Sequence, residues 1–281
     1  MTEKLLHAAG FYEIKNLRRI SGGDINEAFA FFSKDQEYFV KINQLQDFPD
    51  LFEKEASGLL HLSENTTFRI PRVFSQGIFE EWQFLVMEFL PKGQANAKDW
   101  QFFAERLAAM HRVTQEKFGF FEDNYLGTHP QGNSPKKSWA EFYSENRILP
   151  GIRQMYDTGI ADKSLAKNAE RLCSTLSEIY PKEPPSLIHG DLWGGNYLAT
   201  ENEITIIDPA VCYAHREMDI AVAKLFGGYP QIFYESYQEL YPMESGLEER
   251  LPVSQLYHLI FHALHFGGGY IRRVKEILTK F

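Results

Sequence analysis

The spacing of hydrophobic and polar positions changes along the chain, from two-residue alternation to a helical period. Residues 37–42 alternate as a half-buried strand does, and the apolar run at residues 83–90 is typical of a buried strand. Between them, residues 50–60 have a helical period, with Asp50 as the candidate N-cap. The first third of the chain is therefore predicted to be rich in strands, with one helix in its middle.

After Leu90 the helical period dominates. Over residues 99–113 the apolar side chains share one stripe, as expected of a helix that packs on a core. Further helices are predicted from Ser138, a candidate cap, and over residues 168–179. Residues 119–137 are rich in Gly, Pro, Asn and aromatic residues and predict a long loop, which in a compact domain is often functional.

Candidate chemistry lies around two short apolar runs in the second half of the chain. Asp191 comes soon after the run that ends at Ile188, and Asn196 follows five positions later. Asp208 stands at the end of the apolar run at residues 204–207. This spacing matches the Asp and Asn of a kinase catalytic loop and the metal-binding Asp that follows it.

Each of these three side chains suits one part of phosphoryl transfer. Mg²⁺ prefers oxygen ligands, which Asn196 and Asp208 can supply. Asp191 is placed to accept the proton of an acceptor hydroxyl, a contribution of typically ~10²–10⁴-fold. The alternative is ordinary turn chemistry, because Asp and Asn favour turns and strand ends. The three residues together favour the catalytic interpretation.

The strand-rich segment contains the charged pair that a nucleotide site requires. Lys41 lies on a predicted strand, where kinases place the lysine that binds phosphates. Glu55, on the next predicted helix, is its expected partner, with Glu53 as the alternative. Taken alone, Lys41 could simply face solvent on its strand, and each glutamate could lie on a solvated helix face. The order of these residues along the chain is what favours a nucleotide site.

Two further segments complete the expected nucleotide site. Residues 17–31 predict strand, turn and strand, and Gly22 and Gly23 in the turn would let backbone N–H groups approach phosphates, although an ordinary hairpin turn is the alternative. The apolar strand that stops at Pro91 is the expected hinge, whose backbone would hydrogen-bond the adenine edge. Its candidate residues are Glu88, Phe89 and Leu90.

The order of these elements is that of a protein-kinase-like fold. We expect an α+β fold of two lobes, with a small antiparallel sheet in residues 1–90 and a mainly helical lobe in residues 91–281. ATP and Mg²⁺ are the expected cofactors.

One segment of the sequence indicates which known family the chain resembles. Residues 189–196 read His-Gly-Asp-Leu-Trp-Gly-Gly-Asn, which resembles the motif His-Gly-Asp-Leu-Trp-x-Gly-Asn of the fructosamine kinase (ketosamine-3-kinase) family. That family is a branch of the protein-kinase-like superfamily close to the aminoglycoside phosphotransferases. Further matches run along most of the chain, among them residues 22–28, 87–90, 139–150, 207–221, 224–228 and 264–270.

The resemblance implies transfer of the γ-phosphate of ATP to the sugar 3-hydroxyl of a ketosamine. The acceptor would be a fructosamine or ribulosamine, either free or on a glycated lysine, and loss of the 3-phosphate would then free the amine. Candidate acceptor contacts are Trp193 and Trp139, and the matched segments add Arg147 and His265. For each aromatic residue, packing in the core is an equally good alternative.

Two features favour a small acceptor over an extended peptide. Gly190 stands where many protein kinases have the arginine that pairs with a phosphorylated activation loop. Asp208 and Asp219 are separated by only eleven positions, too few for a long peptide-docking segment.

Composition narrows the possible partners and location. The net charge of −9 argues against a broad surface for nucleic acid or anionic membranes. No apolar run reaches the roughly 18 residues of a membrane span, and we expect neither a signal peptide nor disulfides, hence a cytoplasmic protein. His258, His262 and His265 share one predicted helical face, and a structural cluster is favoured there over a metal site.

Two alternative functions stay open at this stage. One is a different small-molecule kinase, acting on an aminoglycoside or an amino alcohol. The other is a nucleotide-binding module without catalysis, against which the complete set of Lys41, Asp191, Asn196 and Asp208 argues. The oligomeric state is left open.

Overall fold

The computed structural model describes residues 1–20, 26–201 and 203–281. Its amino-terminal part is a five-stranded antiparallel sheet with the strand order β1-β2-β3-β5-β4. A short helix, α1 (Thr2–Ala8), precedes the sheet, and α2 (Leu51–Asn65) connects β3 to β4. The strands are β1 (Lys15–Arg19), β2 (Glu27–Ser33), β3 (Gln36–Gln44), β4 (Val73–Phe79) and β5 (Trp82–Glu88).

Two-residue alternation divides the side chains of the central strands between the two faces of this sheet. Phe84 and Val86 of β5 pack with the α1 side chains, whereas Leu85 and Met87 pack with α2. Lys41 lies opposite Leu85 in the β3–β5 ladder. This register directs the lysine towards α2 and the rest of the molecule.

The carboxyl-terminal part is mainly helical, and most of the buried side chains of the protein lie in its core. The helices are α3 (Ala97–Met110), α4 (Trp139–Tyr143), a π-helical segment (Ser144–Ile148), α5 (Leu149–Asp157), α6 (Lys163–Ile179), α7 (Glu217–Phe226), α8 (Gln231–Leu240), α9 (Leu247–Ser254), α10 (Leu256–Phe266) and α11 (Gly268–Leu278). Three two-stranded pairs join them: β6 (Asn124–Leu126) with β7 (His129–Gln131), β8 (Ser186–Ile188) with β11 (Cys212–Ala214), and β9 (Tyr197–Ala199) with β10 (Ile204–Ile206).

The α+β fold expected from the sequence is confirmed, with differences in detail. Ser138 caps α4 in a capping box, as predicted. Asp50 occupies the N-cap position of α2, but its carboxylate accepts from Tyr125 Oη (3.0 Å) instead of capping the helix. The predicted loop at residues 119–137 contains the β6–β7 hairpin, and the predicted helix at residues 168–179 begins earlier, in α6. The proposed division after Leu90 falls in the connection between β5 and α3 and stays a prediction.

Contacts between α2 and the carboxyl-terminal part hold the two parts together. Lys54 Nζ lies 2.7 Å from Glu122 Oε2, and Tyr125 Oη donates to the Pro49 carbonyl (2.7 Å). His61 Nε2 lies 3.2 Å from Tyr213 Oη. Because α2 also carries Glu55, these contacts bear on the geometry of the site.

No helix in residues 1–20, 26–201 or 203–281 is long and apolar enough to cross a membrane.

Candidate active site

The loop between β8 and β9 brings Asp191 and Asn196 together. Asn196 Nδ2 donates to Asp191 Oδ2 (2.8 Å) and to the Asp191 carbonyl (2.9 Å). Asn196 is buried, whereas the Asp191 side chain keeps 17% exposure and is therefore open to a reactant. The five-residue spacing thus closes a tight loop in which one side chain orients the other.

Asp219 of α7 fixes the start of this loop. Its carboxylate accepts from the backbone N–H groups of His189 (2.8 Å) and Gly190 (2.9 Å). Burial alone would raise the pKa of Asp219, but hydrogen bonding and charge from His111, together with His189, outweigh it and lower the pKa. The buried Asp219 carboxylate is therefore charged, and in this form it holds the loop.

Asp208 comes from the second half of the same hairpin region and meets Lys41 of β3. Its Oδ1 lies 2.6 Å from Lys41 Nζ, and Lys41 Nζ is 2.7 Å from Glu55 Oε1. Asp208 has a left-handed backbone (φ 55°), and the backbone N–H of its neighbour Ile207 donates to the Asn196 carbonyl (3.0 Å). Lys41, Glu55 and Asp208 thus form one charged cluster, and the hydrogen bond between Ile207 and Asn196 joins it to the loop that carries Asp191.

Burial shapes the charge of this cluster. Burial by itself lowers the pKa of Lys41, but the carboxylates of Asp208 and Glu55 outweigh it, and the net change is upward. Burial raises the pKa of Glu55 even though the Lys41 ammonium opposes the change. Lys41 therefore stays a fixed positive charge where a nucleotide phosphate is expected.

The oxygen atoms at Asn196 and Asp208 fit a hard divalent cation. Because Asn196 Nδ2 is engaged by Asp191, the amide oxygen Oδ1 is left as an acceptor, and no residue of the described ranges donates to it. Asp208 supplies a carboxylate whose side chain is 44% exposed. Carboxylate and amide oxygens are what Mg²⁺ prefers, so these two residues could hold the metal together with nucleotide phosphates.

The expected hinge offers backbone groups and no free carboxylate. The Glu88 side chain is bonded to Arg69, and its backbone N–H donates to the Arg72 carbonyl (2.8 Å). Within the described residues, the backbone groups of Phe89 and Leu90 form no hydrogen bond and so remain available for an adenine edge. Gly22 and Gly23, the expected phosphate contacts, lie outside the described residues.

Trp193 lies at the open side of the catalytic loop. Its backbone N–H donates to the Asp191 carbonyl (3.0 Å), and its side chain is 40% exposed. The indole lies over Gly195, where an added Cβ would come within 2.3 Å of the ring. Glycine at this motif position therefore leaves the space that the indole occupies over the loop.

Aromatic side chains from three helices continue from Trp193. Phe226 lies 6.2 Å from the Trp193 ring and 4.6 Å from His262, which in turn contacts Tyr270 (4.9 Å). Burial lowers the pKa of His262. We call Trp193, Phe226, His262 and Tyr270 the aromatic rim. Trp193 is the member of this rim that the sequence motif offered as an acceptor contact, and Phe226, His262 and Tyr270 join it through packing.

Two expected acceptor contacts, Trp139 and Arg147, lie in the core instead. Trp139 is buried and stacks on Tyr143 (4.7 Å between ring centroids). Arg147 is buried, donates to Asn133 Oδ1 (2.7 Å) and lies over the Phe142 ring (4.6 Å). These placements favour packing roles for both residues, and their direct contact with an acceptor stays a prediction.

The fourth expected contact, His265, is exposed near the end of α10. Its Nδ1 donates to the Phe261 carbonyl (2.9 Å), and its ring lies 6.0 Å from that of His129. No group of three or more potential His, Cys, Asp or Glu metal ligands occurs in the described part of the chain.

His258 is a neighbour of Asp191 that the sequence did not reveal. Its three-and-four spacing with His262 and His265 was visible, but its partner was not. In the structure, His258 Nε2 lies 3.0 Å from the Gly190 carbonyl and 3.5 Å from Asp191 Oδ1.

Comparison with protein families and curated proteins agrees with the motif in the catalytic loop. The family model described as fructosamine kinase matches residues 2–281. A probable ketoamine kinase of Synechocystis is 34% identical over 277 residues, which covers 96% of this chain and 91% of the relative. A probable ketoamine kinase of Enterococcus faecium is 36% identical over 267 residues, with 93% and 94% covered.

Solved structures give the same relationship. A putative fructosamine-3-kinase from Haemophilus somnus superposes with a TM-score of 0.88 at 30% identity, covering 99% of this chain and 96% of that one. An aminoglycoside phosphotransferase crystallised with ADP and hygromycin B superposes with a TM-score of 0.66 at 15% identity, covering 99% and 97%. The second similarity shows a shared fold.

Proposed function

The chain belongs to the fructosamine kinase family, and from this premise we propose that it transfers the γ-phosphate of ATP to the sugar 3-hydroxyl of a ketosamine. The observation that carries the proposal is the position of Asp191. Its carboxylate is oriented by Asn196 and is partly exposed. Trp193, two positions later in the chain, is half-exposed. A base next to an open aromatic surface suits a sugar hydroxyl on a small carrier.

Each residue of the cleft has a distinct role in this proposal. Asp191 accepts the proton of the 3-hydroxyl, and Lys41, held by Glu55, neutralises charge on the nucleotide phosphates. Asn196 and Asp208 would hold Mg²⁺ through their oxygen atoms. The metal, when bound, would neutralise negative charge on the transferring phosphate.

The remaining nucleotide contacts follow from chain order and backbone availability. Phe89 and Leu90 offer backbone groups without a hydrogen bond for adenine, whereas the Glu88 N–H is held by the Arg72 carbonyl and Glu88 stays a predicted neighbour of adenine. Gly22 and Gly23 remain the predicted phosphate contacts.

The aromatic rim is the proposed acceptor surface. Its rings present flat apolar faces suited to the C–H faces of a sugar and to the carbon chain of an amine or a lysine side chain. His265, exposed near the rim, stays a candidate polar contact. Phosphorylation at the 3-position would let the ketosamine lose phosphate and release the amine, so the proposed role is deglycation. Use of ATP favours a cytoplasmic location, which also remains a proposal.

A phosphate-transfer assay on a panel of acceptors tests this function. The purified protein with Mg–ATP should phosphorylate fructosamines and ribulosamines, free or on glycated peptides, and NMR should place the phosphate on the 3-oxygen. The panel includes an aminoglycoside and an amino alcohol, and the Asp191→Asn variant is the matched negative control. Preferential turnover of either of those two acceptors, or phosphate at another position, would contradict the proposal.

A further inference from the structure

We propose that His258 of α10 is a positioning residue for Asp191, an inference that rests on the proposed function. His258 is buried, and its imidazole reaches the catalytic loop at two atoms. Nε2 must carry the hydrogen, because the Gly190 carbonyl at 3.0 Å can only accept. The same N–H faces Asp191 Oδ1, 3.5 Å away.

The contact fixes the peptide that leads into the base. In the peptide between Gly190 and Asp191, the Gly190 carbonyl accepts from His258 Nε2 (3.0 Å), and the Asp191 N–H donates to His189 Nδ1 (3.3 Å). A peptide plane that is hydrogen-bonded on both sides has little freedom to rotate. The direction in which the Asp191 side chain leaves the backbone is set by this plane.

The two carboxylate oxygens of Asp191 also have different neighbours. Asn196 Nδ2 donates to Oδ2 at 2.8 Å, and His258 Nε2 faces Oδ1 at 3.5 Å. Neighbours on both oxygens limit rotation of the carboxylate about its side-chain bonds. A base held in one orientation lies within reach of the acceptor hydroxyl more often than a freely rotating one.

Packing alone does not explain a histidine at this position. Within the described residues, His258 Nδ1 is buried and has no hydrogen-bond partner. An unpartnered buried nitrogen costs free energy that an apolar side chain of similar size would avoid. The hydrogen bond from Nε2 to the loop is the contact that such a replacement would lose.

The test compares a replacement that keeps the volume of the side chain with one that keeps its hydrogen-bond donor. His258→Phe fills the space without a donor, whereas His258→Gln places an amide N–H near the position of Nε2. We expect the Phe variant to lower kcat about tenfold with KM for ATP nearly unchanged, and the Gln variant to recover most of the loss. His215→Phe is the matched control, because His215 is equally buried but contacts Pro181 instead of the catalytic loop.

The outcomes separate positioning from packing. Wild-type kcat in His258→Phe overturns the proposal, and so does an equal loss in the Phe and Gln variants that follows their melting temperatures. If His258→Phe does not fold, His258→Asn replaces it, since its shorter amide cannot reach the loop, and recovery by Gln relative to Asn decides.

The test is also independent of the identity of the acceptor. If the wild-type protein does not turn over any ketosamine, the proposed function fails. The His258 comparison is then made on the acceptor that is used, or on basal ATP hydrolysis.

Discussion

Glu55 Oε1 lies 2.7 Å from Lys41 Nζ, whereas Glu53, on the same helix, faces solvent. The sequence left both glutamates as partners for the lysine. The helical position of Glu55 turns its side chain inward, and contacts of Lys54 with Glu122 and of Pro49, just before α2, with Tyr125 keep the helix in place.

Lys41→Met should lower kcat by about 10²-fold or more, because the ammonium neutralises phosphate charge as the phosphoryl group moves. Glu55→Gln should give a smaller loss, since the glutamate only orients the lysine. Steady-state kinetics with varied ATP measure both effects. Glu53→Gln is the control and should behave as wild type, and a severe defect there with a silent Glu55→Gln would contradict the assigned pair.

Asp191→Asn should lower kcat by about 10²-fold or more while ATP binding is retained, as expected for loss of a positioned base. Asp208→Asn should instead weaken the use of Mg–ATP, so that its defect is partly relieved at high Mg²⁺. Calorimetric ATP titration alongside turnover distinguishes the two variants. Wild-type turnover in either one would refute the role given to that carboxylate.

Trp193→Ala should raise KM for a fructosamine, with KM for ATP and the melting temperature little changed. The indole is 40% exposed, so its removal leaves no large cavity. Trp139→Ala is the contrasting variant. Because that indole is buried, its removal should destabilise the protein by about 3–5 kcal/mol. A Trp193→Ala protein that is unstable but has unchanged relative KM values would show that Trp193 only packs.

The ion pair between Lys54 and Glu122 should matter for turnover more than for stability. Such an ion pair contributes about 0.5–1 kcal/mol. If this free energy serves to hold Glu55 against Lys41, its loss in Lys54→Met raises the activation barrier by the same amount and lowers kcat roughly two- to fivefold. Glu122→Gln should have the same effect, and the double variant should add nothing. Arg106→Met removes an ion pair of similar exposure, with Glu203, and should leave kcat unchanged. Additive losses would argue against the coupling.

Gly190→Ala should abolish most activity and destabilise the catalytic loop. Gly190 has φ 85°, and an added Cβ would lie 2.0 Å from the Ala210 carbonyl oxygen. The left-handed backbone alone costs an alanine about 1–2 kcal/mol. Gly132→Ala is the control, because nothing lies within 4 Å of its added Cβ. Thermal melting and turnover of both variants check this, and a stable, active Gly190→Ala protein would contradict the geometry.

The sequence by itself determined the local parts of the site. Asp191, Asn196 and Asp208 lie in one hairpin region, where backbone hydrogen bonds such as Ala210 to His189 (2.9 Å) join nearby positions. Spacing along the chain therefore implies spacing in space. Strand alternation likewise placed Lys41 on the α2 face of the sheet.

Tertiary packing decided the rest. Trp139 and Arg147 belong to matched segments, but the helical core surrounds them, and no local pattern distinguishes a tryptophan in a core from one in a cleft. His258 meets Asp191 only because α10 packs against the catalytic loop. Local periodicity specifies which face of an element is apolar, whereas the partner of a buried polar side chain depends on which distant segment packs against it.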